Sequence, residues 1–326
     1  MRFKNKTFLT FLAFLLSISG LIGPGFWDIK SPNPTRFNSN YLTKATIGVR
    51  LNPNDLYLDD KFKNSIISSR SFFGKEIAIA WAKNFLDQIK IEKRVSRTYF
   101  TQLPSDLNTY EISDKKKIFI SIMLPLLLKG NEKVLIERSN IVRLFKKKNF
   151  NRLKIYCQKY KIKKIDCNNI NFSNNTKLES LKNLLLIRVN VYPISMMLAQ
   201  AIVESGWGGS RFAQKGNALF GQWTWDKKKG ISPAGINRPN FAVKSFKNLQ
   251  ASVDAYILNL NTHPAYSKLR SYRKLIANSQ KFQGSKFSRY LDKYAIIGFD
   301  YVKKINLMIE KNNLEKFNLL ELKLEN

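Results

Sequence analysis

The chain has 326 residues, enough for one large domain or two modest ones, and with one histidine and two cysteines it cannot assemble a multi-histidine metal site. Its 56 Lys and Arg residues against 23 Asp and Glu residues give a formal net charge of +33, which favours a polyanionic partner or an anionic surface. A lysine bias in the composition explains the charge equally well, so charge alone selects no partner. With so few potential ligands, neither a metal nor another cofactor is expected.

The first 23 residues have the pattern of an export segment. Three basic residues among the first six precede an apolar run from Thr7 to Gly23, and a Pro-Gly pair follows the run. The run nearly reaches the length of a single membrane-spanning helix, so a cleaved signal peptide and a retained anchor both fit. Either one predicts export to the periplasm or cell envelope, with tethering to the inner membrane in the second case, and argues against nucleic acid as the partner.

Composition divides the rest of the chain into three parts. Residues 24–74 are polar and weakly periodic, which predicts a weakly ordered lead-in. Residues 75–179 predict a helical N-terminal region that ends in an asparagine-rich loop. We place a catalytic domain in residues 180–326, because the segments with chemical content lie there.

The N-terminal region opens with an amphipathic helix over Lys75–Lys93. A longer helix follows with Ser113 as its capping candidate, and Pro125 inside it predicts a kink or a split. Its apolar stretch Ile118–Leu128 is too short to cross a bilayer and is predicted to be buried. The basic residues between Arg143 and Lys161 are typical of a solvated face, with contact to an anionic polymer as the alternative.

Cys157 and Cys167 are the only cysteines of the chain. Their spacing allows a disulfide that closes a small loop in an oxidising compartment. Without a further signal in the sequence, two buried free thiols are the favoured interpretation.

Residues 201–225, AIVESGWGGSRFAQKGNALFGQWTW, concentrate glycine and tryptophan. Seven of the fifteen glycines lie between Gly206 and Gly235, and three of the five tryptophans lie between residues 207 and 225. Glycine permits backbone geometries closed to other residues, and flat aromatic faces stack on the apolar faces of sugars or bases. The segment therefore predicts a binding cleft.

Glu204 is placed to act as an acid. Met197 and Ala201 repeat at core-facing spacing in a helix that begins at Pro193. Glu204 extends the same row, toward the apolar side. Desolvation, the negative end of the helix dipole and the indole of Trp207 should each raise the pKa of Glu204. A carboxylic acid that stays neutral can serve as a general acid, whereas an ordinary helix-terminal carboxylate is the alternative that the glycine and tryptophan context disfavours.

Strand-like composition follows this segment. Residues 217–225 and 240–246 flank a polar loop, which predicts a β-hairpin on one side of the cleft. The next residues have helical periodicity. The predicted fold class is mainly α, with a small β-hairpin in the catalytic domain and a helical region before it.

These motifs resemble a known family. LAQAIVESGWGGSRFAQKGNALFGQW, with SFKNLQASVDAYILNLNTHPAY after it, is similar to the family 73 glycoside hydrolases, the β-N-acetylglucosaminidases that cut bacterial peptidoglycan. Within that family the Bax-type group of envelope proteins is the nearest match, and KKKIFISIMLPLLLKGNEKVLIER and LLLIRVNVYPISMMLAQ resemble it too. The resemblance runs from roughly residue 110 to the C-terminal region and implies a lysozyme-like catalytic domain.

The resemblance implies an endo-β-N-acetylglucosaminidase that cleaves the β-1,4 bond after N-acetylglucosamine, with Glu204 matching the catalytic acid. The partners it implies are peptidoglycan glycan strands, beside which anionic envelope polymers or the membrane surface are further candidates. Together with the aromatic content of the segment, it gives six candidate substrate-binding residues: Trp207, Asn217, Phe220, Trp223, Tyr256 and Tyr266. By periodicity Tyr256 is equally a core residue, and Phe220 equally packs the hairpin.

The second catalytic group is not evident. Many family members carry a second glutamate in the hairpin, but here Asp226 is the only acid between Ser205 and Val253. Paired-carboxylate hydrolysis needs a base or nucleophile, which is either Asp226 or the acetamido group of the substrate itself. A solvated acid at the start of a lysine-rich loop is an equally good interpretation of Asp226.

Two other functions remain open from the sequence. A lytic transglycosylase also works with one glutamate in a lysozyme-like fold, although NALFGQW stands where that class has a GLMQ-type segment. A non-catalytic peptidoglycan-binding envelope protein would keep the cleft and lack the second carboxylate. A nucleic-acid-binding protein is the least favoured, because no recognised binding motif is present.

Overall fold

The computed structural model describes residues 66–67, 74–149, 151–163, 165, 167, 175–233, 241–276 and 282–324. The predicted signal or anchor, residues 1–23, lies outside these residues, as does nearly all of the predicted lead-in. Within the described ranges, no helix combines the length and the apolar composition needed to cross a membrane.

The described chain is mainly helical, which confirms the predicted fold class. Its α-helices are α1 (Lys75–Glu92), α2 (Ile112–Lys146), α3 (Leu153–Lys159), α4 (Asn175–Arg188), α5 (Ile194–Ser205), α6 (Arg211–Gly216), α7 (Leu249–Thr262), α8 (Ser267–Leu275), α9 (Gly284–Phe287) and α10 (Phe299–Lys311). Its strands are β1 (Ile66–Ile67), β2 (Arg94–Val95), β3 (Tyr99–Phe100), β4 (Trp223–Thr224), β5 (Gly230–Ile231), β6 (Ala242–Lys244) and β7 (Glu321–Leu322). The two outer pairs, β1 with β3 and β2 with β7, are parallel and only two residues long.

Helix α2 runs without interruption for 35 residues. It begins after Glu111, so the predicted cap at Ser113 is wrong, and it continues through Pro125, so the predicted split does not occur. Between Ile118 and Leu128 all residues except Ile120 are buried. Apolar packing on both sides of the proline outweighs the lost backbone hydrogen bond and keeps one helix.

Helices α2 and α5 organise the core. Helix α2 packs against α1, α4, α5 and α7, while α5 also packs against α9, α10 and the 3-10 helix Leu314–Leu319. Residues from the predicted N-terminal region and from the predicted catalytic domain thus share one hydrophobic core. The boundary near residue 180 falls inside α4 and stays a prediction. Helix α5 thus contacts helices from both the N-terminal and the C-terminal parts of the described chain.

The predicted hairpin is part of a three-stranded antiparallel sheet. Strand β6 lies in the centre, with Trp223 of β4 opposite Val243 and with Gly230 of β5 opposite Lys244. The strands that flank the polar loop therefore pair as predicted, and β5 adds an edge that the sequence did not indicate.

Four arginine side chains donate hydrogen bonds to backbone carbonyls at the ends of helices. Arg138 and Arg273 donate to backbone carbonyls at the end of α4, and Arg270 donates to Leu260 O and His263 O at the end of α7. Arg188 donates to the carbonyl of Thr262. Terminal carbonyls have no partner inside their helix, so cationic donors stabilise them. Part of the large positive charge is thus structural.

Cys157 and Cys167 form a disulfide, with their Cα atoms 6.4 Å apart. The expectation of two free thiols is therefore wrong. After α3 the chain reverses at Lys161, which adopts a left-handed φ of +53°, and Arg188 binds the carbonyls of Tyr160 and Lys161. The reversal brings the cysteines within bridging distance, which sequence spacing alone did not indicate.

Candidate active site

Glu204 lies at the C-terminal end of α5. Gly206 ends the helix with a φ of +59°, a left-handed conformation that glycine adopts without strain. The predicted core row is confirmed, because Met197 and Ala201 are fully buried. Gln200, one turn before Glu204 on the same face, is also fully buried. The helix thus carries Glu204 to the edge of the core.

A cleft of about 350 Å³ opens beside Glu204. It lies between the end of α5, the sheet strands β4 and β6, and the segment before α10. Its lining residues are Val203, Glu204, Phe212, Ala218, Phe220, Gly221, Gln222, Trp223, Val243, Asn259, Tyr266, Tyr294, Ala295, Ile296, Ile297 and Tyr301. Glu204 is the single carboxyl group among these described residues.

A chain of hydrogen bonds ends on the Glu204 carboxyl. The hydroxyl of Tyr301 donates to Oε1 of Glu204 at 2.7 Å. The same hydroxyl oxygen accepts from Nε2 of Gln200 at 3.1 Å. Gln200 Oε1 in turn accepts from the hydroxyl of Tyr256 at 2.6 Å. Because the three donors are buried, the chain fixes the orientation of the carboxyl group.

The pKa of Glu204 is raised to about 7. Burial is the main cause, and the hydrogen bond from Tyr301 and the charge of Lys304 oppose it. The predicted direction and the predicted role of desolvation are confirmed. A carboxyl with this pKa is substantially protonated in neutral solution, so it can donate a proton.

Gly221 brings the backbone close to the other oxygen of Glu204. A Cβ atom at this position would lie 2.8 Å from Oε2, and its φ is +59°. Only glycine fits both constraints without strain. Since Oε1 accepts from Tyr301, Oε2 is the oxygen that carries the proton in the neutral form.

Aromatic rings form the walls of the cleft. Trp223 stacks on Phe241 with ring centroids 4.5 Å apart, and Phe220 stacks on Tyr256 at 3.9 Å. Tyr266 lines the cleft as well. Tyr256 was also predicted to bind substrate, but it does not line the cleft, because it is fully buried against Phe220. The walls offer flat apolar faces of the kind that stack on sugar rings.

Asp226 lies outside the described lining of the cleft. It is exposed, accepts a hydrogen bond from the backbone N–H of Lys228 at 3.1 Å and pairs with Lys229 at 3.0 Å. The hydrogen bond from Lys229, and then that from Lys228, lowers the pKa of Asp226. These contacts make Asp226 the cap of the 3-10 turn Lys227–Lys229.

Trp207 and Asn217 also lie outside the lining. Trp207 packs edge-on against Phe119 with ring centroids 6.1 Å apart, and Lys116 lies over its ring. Asn217 is buried at the end of α6, where its Nδ2 donates to the carbonyl of Phe246 at 3.0 Å. Both residues position the glycine-rich segment in this structure.

The C-terminal region contributes cleft residues that were not predicted from the sequence. Tyr294, Ile296, Ile297 and Tyr301 line the cleft, and Tyr294 donates to the carbonyl of Phe220 at 2.8 Å. The signal was present in YAIIGFDY, which places two tyrosines around a glycine at the start of α10. Gln222 was missed too; within the part of the chain that the structure describes, its Oε1 accepts no hydrogen bond.

Comparisons with known proteins cover the part of the chain that forms the cleft. Residues 182–314 match the family model of the glucosaminidases, described as mannosyl-glycoprotein endo-beta-N-acetylglucosaminidase. The matched range contains all the residues that line the cleft. No solved structure matches the chain.

Residues 182–314, which include the half-buried carboxyl of Glu204 and its aromatic cleft, are thus similar to the glucosaminidases. The chain is also similar to the protein bax of Escherichia coli (strain K12). The two are 29% identical over 214 residues, an alignment that covers 64% of this chain and 73% of the relative.

Proposed function

We propose that this protein is a peptidoglycan hydrolase that cleaves the β-1,4 bond after N-acetylglucosamine, with Glu204 as the general acid. The observation that carries the proposal is the position of the Glu204 carboxyl in an aromatic cleft, where burial raises its pKa to about 7. Peptidoglycan glycan strands are then the substrate.

The first chemical step uses Oε2 of Glu204. Oε2 gives its proton to the glycosidic oxygen while the bond from that oxygen to C1 breaks, and the leaving sugar departs as an alcohol. Tyr301 holds Oε1 throughout, so the carboxylate that forms is stabilised by its hydrogen bond. Trp223 supplies a flat face for a sugar ring beside the reacting bond.

The acetamido group of the substrate is the nucleophile that the geometry supports better. Its carbonyl oxygen bonds to C1 as the leaving oxygen departs. Water then bonds to C1, the acetamido oxygen is released, and Glu204 takes the proton of the water. Asp226 is the alternative base, but it lies outside the lining and is paired with Lys229.

We further propose that the protein works outside the cytoplasm, in the periplasm or cell envelope. The export pattern of residues 1–23 supports this location. The disulfide between Cys157 and Cys167 supports it as well, since such bonds persist in oxidising compartments.

The decisive experiment identifies the chain ends that the protein produces. Purified peptidoglycan is digested with the wild type and with Glu204→Gln, and the fragments are analysed by mass spectrometry. We expect reducing N-acetylglucosamine ends from the wild type and a loss of about 10²–10⁴-fold in rate for the variant. Glu310→Gln is the matched control, because Glu310 is exposed on α10, and it should keep full activity.

Three outcomes would overturn parts of the proposal. Anhydro-sugar ends would identify a lytic transglycosylase, and reducing muramic acid ends would reject the specificity for the bond after N-acetylglucosamine. Background release by the wild type, with wall binding intact, would identify a non-catalytic peptidoglycan-binding protein. Asp226→Asn decides the second group: a rate near that of the wild type supports the acetamido route, and a loss comparable to that of Glu204→Gln makes Asp226 the base.

A further inference from the structure

A run of lysines stands next to the cleft. Strand β4 ends at Thr224, and the 3-10 turn Lys227–Lys229 follows within three residues. All three lysines are exposed. Because a strand advances about 3.3 Å per residue, Lys227 lies at most about 13 Å along the chain from Trp223, which lines the cleft. The turn is therefore close to the candidate active site although none of its residues lines the cleft, and we call it the rim of the cleft.

The lysines of this turn differ in their pairing. Lys229 pairs with Asp226 at 3.0 Å, and that contact neutralises the acid of the turn. The side chains of Lys227 and Lys228 form no ion pair with the described residues. Two uncompensated positive charges therefore face solvent beside an exposed aromatic ring, Trp225, whose exposed fraction is 75%.

The cleft itself does not repel an anion. Glu204 is the single carboxyl among the described lining residues, and it is largely protonated below neutral pH. Lys304 adds positive charge near Glu204, since its charge lowers the pKa of that carboxyl. A substrate with acidic substituents is thus attracted by the lysines at the rim and is not repelled by negative charge in the cleft.

We propose that Lys227 and Lys228 bind the carboxylates of the peptides that substitute the glycan strand. This inference rests on the proposed function, which places the sugar chain between Trp223 and Glu204. Groups attached to the sugars then project over the rim of the cleft, where the lysines stand. Each contact is an exposed ion pair, so together they should change the affinity by about 3- to 10-fold and weaken as salt is added.

A matched pair of variants tests the proposal. Lys227→Gln with Lys228→Gln removes the rim charges, and Lys147→Gln with Lys148→Gln removes the same charge from exposed lysines after α2. Each protein is assayed at low and high salt on intact peptidoglycan and on glycan stripped of peptides by an amidase. We expect the rim variant to raise KM about 3- to 10-fold on intact peptidoglycan alone, with kcat unchanged, and the control to match the wild type.

Other outcomes overturn the inference and separate it from the proposed function. Equal losses in both variants would assign the effect to the charge of the whole protein. An equal loss on stripped glycan would assign it to the glycan, including the lactyl carboxylates that the amidase exposes. An unchanged KM of the rim variant on intact peptidoglycan would show that Lys227 and Lys228 do not bind the peptides. Should the wild type cleave neither substrate, the proposed function fails, and co-sedimentation of the same variants with intact and stripped glycan still decides whether the lysines bind peptides.

Discussion

Tyr301 donates a hydrogen bond of 2.7 Å to Glu204, although 97 residues separate them in the chain. The contact exists because α10 packs against α5, so the C-terminal region completes the surroundings of the candidate acid. Tyr301 also links Glu204 to the buried Gln200 and thereby to Tyr256. The orientation of one carboxyl group thus depends on three helices: α5, α7 and α10.

Replacing Tyr301 by phenylalanine should move the pH profile. The hydrogen bond from Tyr301 stabilises the carboxylate and lowers the pKa of Glu204, so its loss should raise that pKa above about 7. The general acid then stays protonated to higher pH, and the alkaline limb of kcat/KM against pH shifts upward. Tyr294→Phe is the control, because the Tyr294 hydroxyl donates to the carbonyl of Phe220. An unshifted limb in Tyr301→Phe would contradict the assignment of Glu204.

Glu204→Gln should make the protein more stable at alkaline pH. The pKa of Glu204 is about 7 in the folded chain, against about 4.3 for an unperturbed glutamate. Between these values the folded state holds a proton that the unfolded state releases, so the free energy of unfolding falls as pH rises through this window. Glutamine does not titrate, so the free energy of unfolding of the variant does not fall in this way. Thermal melts should show a Tm gain of roughly 2–8 °C at pH 8 and almost none at pH 4. A gain of equal size at both pH values would contradict the raised pKa.

Local pattern was enough to predict the position of Glu204. Its place in a row with Met197 and Ala201 gave both the helix face and the direction of the pKa shift, because burial is a property of that face. Trp223 and the pairing of the two strands that flank the polar loop were also predicted from nearby residues. These features depend on residues that are close to one another in the sequence.

Contacts between distant segments could not be predicted in the same way. Tyr301 has the spacing of any core residue of α10, and only the packing of α10 on α5 turns its hydroxyl toward Glu204. Nothing in the sequence distinguishes Arg273 from the many exposed basic residues, yet it is buried and donates to a carbonyl at the end of α4. Trp207 was expected beside Glu204. Its backbone is left-handed, with a φ of +57°, and its ring packs on Phe119 instead.

Loss of the disulfide should destabilise the protein without changing the chemistry. Cys157 and Cys167 close a short loop far along the chain from the cleft residues, and neither lines the cleft. A bridge across a loop of this size contributes about 2–3 kcal/mol to the free energy of unfolding. Reduction, or replacement of both cysteines by alanine, should therefore lower Tm while kcat at low temperature stays unchanged. Urea melts with and without reductant give the free energy of unfolding, and equal values in both would contradict a formed bridge.

The close approach of Gly221 to Glu204 gives the sharpest test of the site geometry. Gly221 and Gly206 share a φ of +59°, but a Cβ at Gly206 meets nothing within 4 Å, while one at Gly221 lies 2.8 Å from Oε2 of Glu204. Alanine at either position should cost about 1–2 kcal/mol of stability, because both carry the same left-handed strain. Only Gly221→Ala displaces the carboxyl from its place, so kcat should fall at least about 10-fold in that variant and stay near the wild-type value in Gly206→Ala. Equal kcat values in the two variants, measured well below both melting temperatures, would show that the position of Oε2 does not limit the reaction.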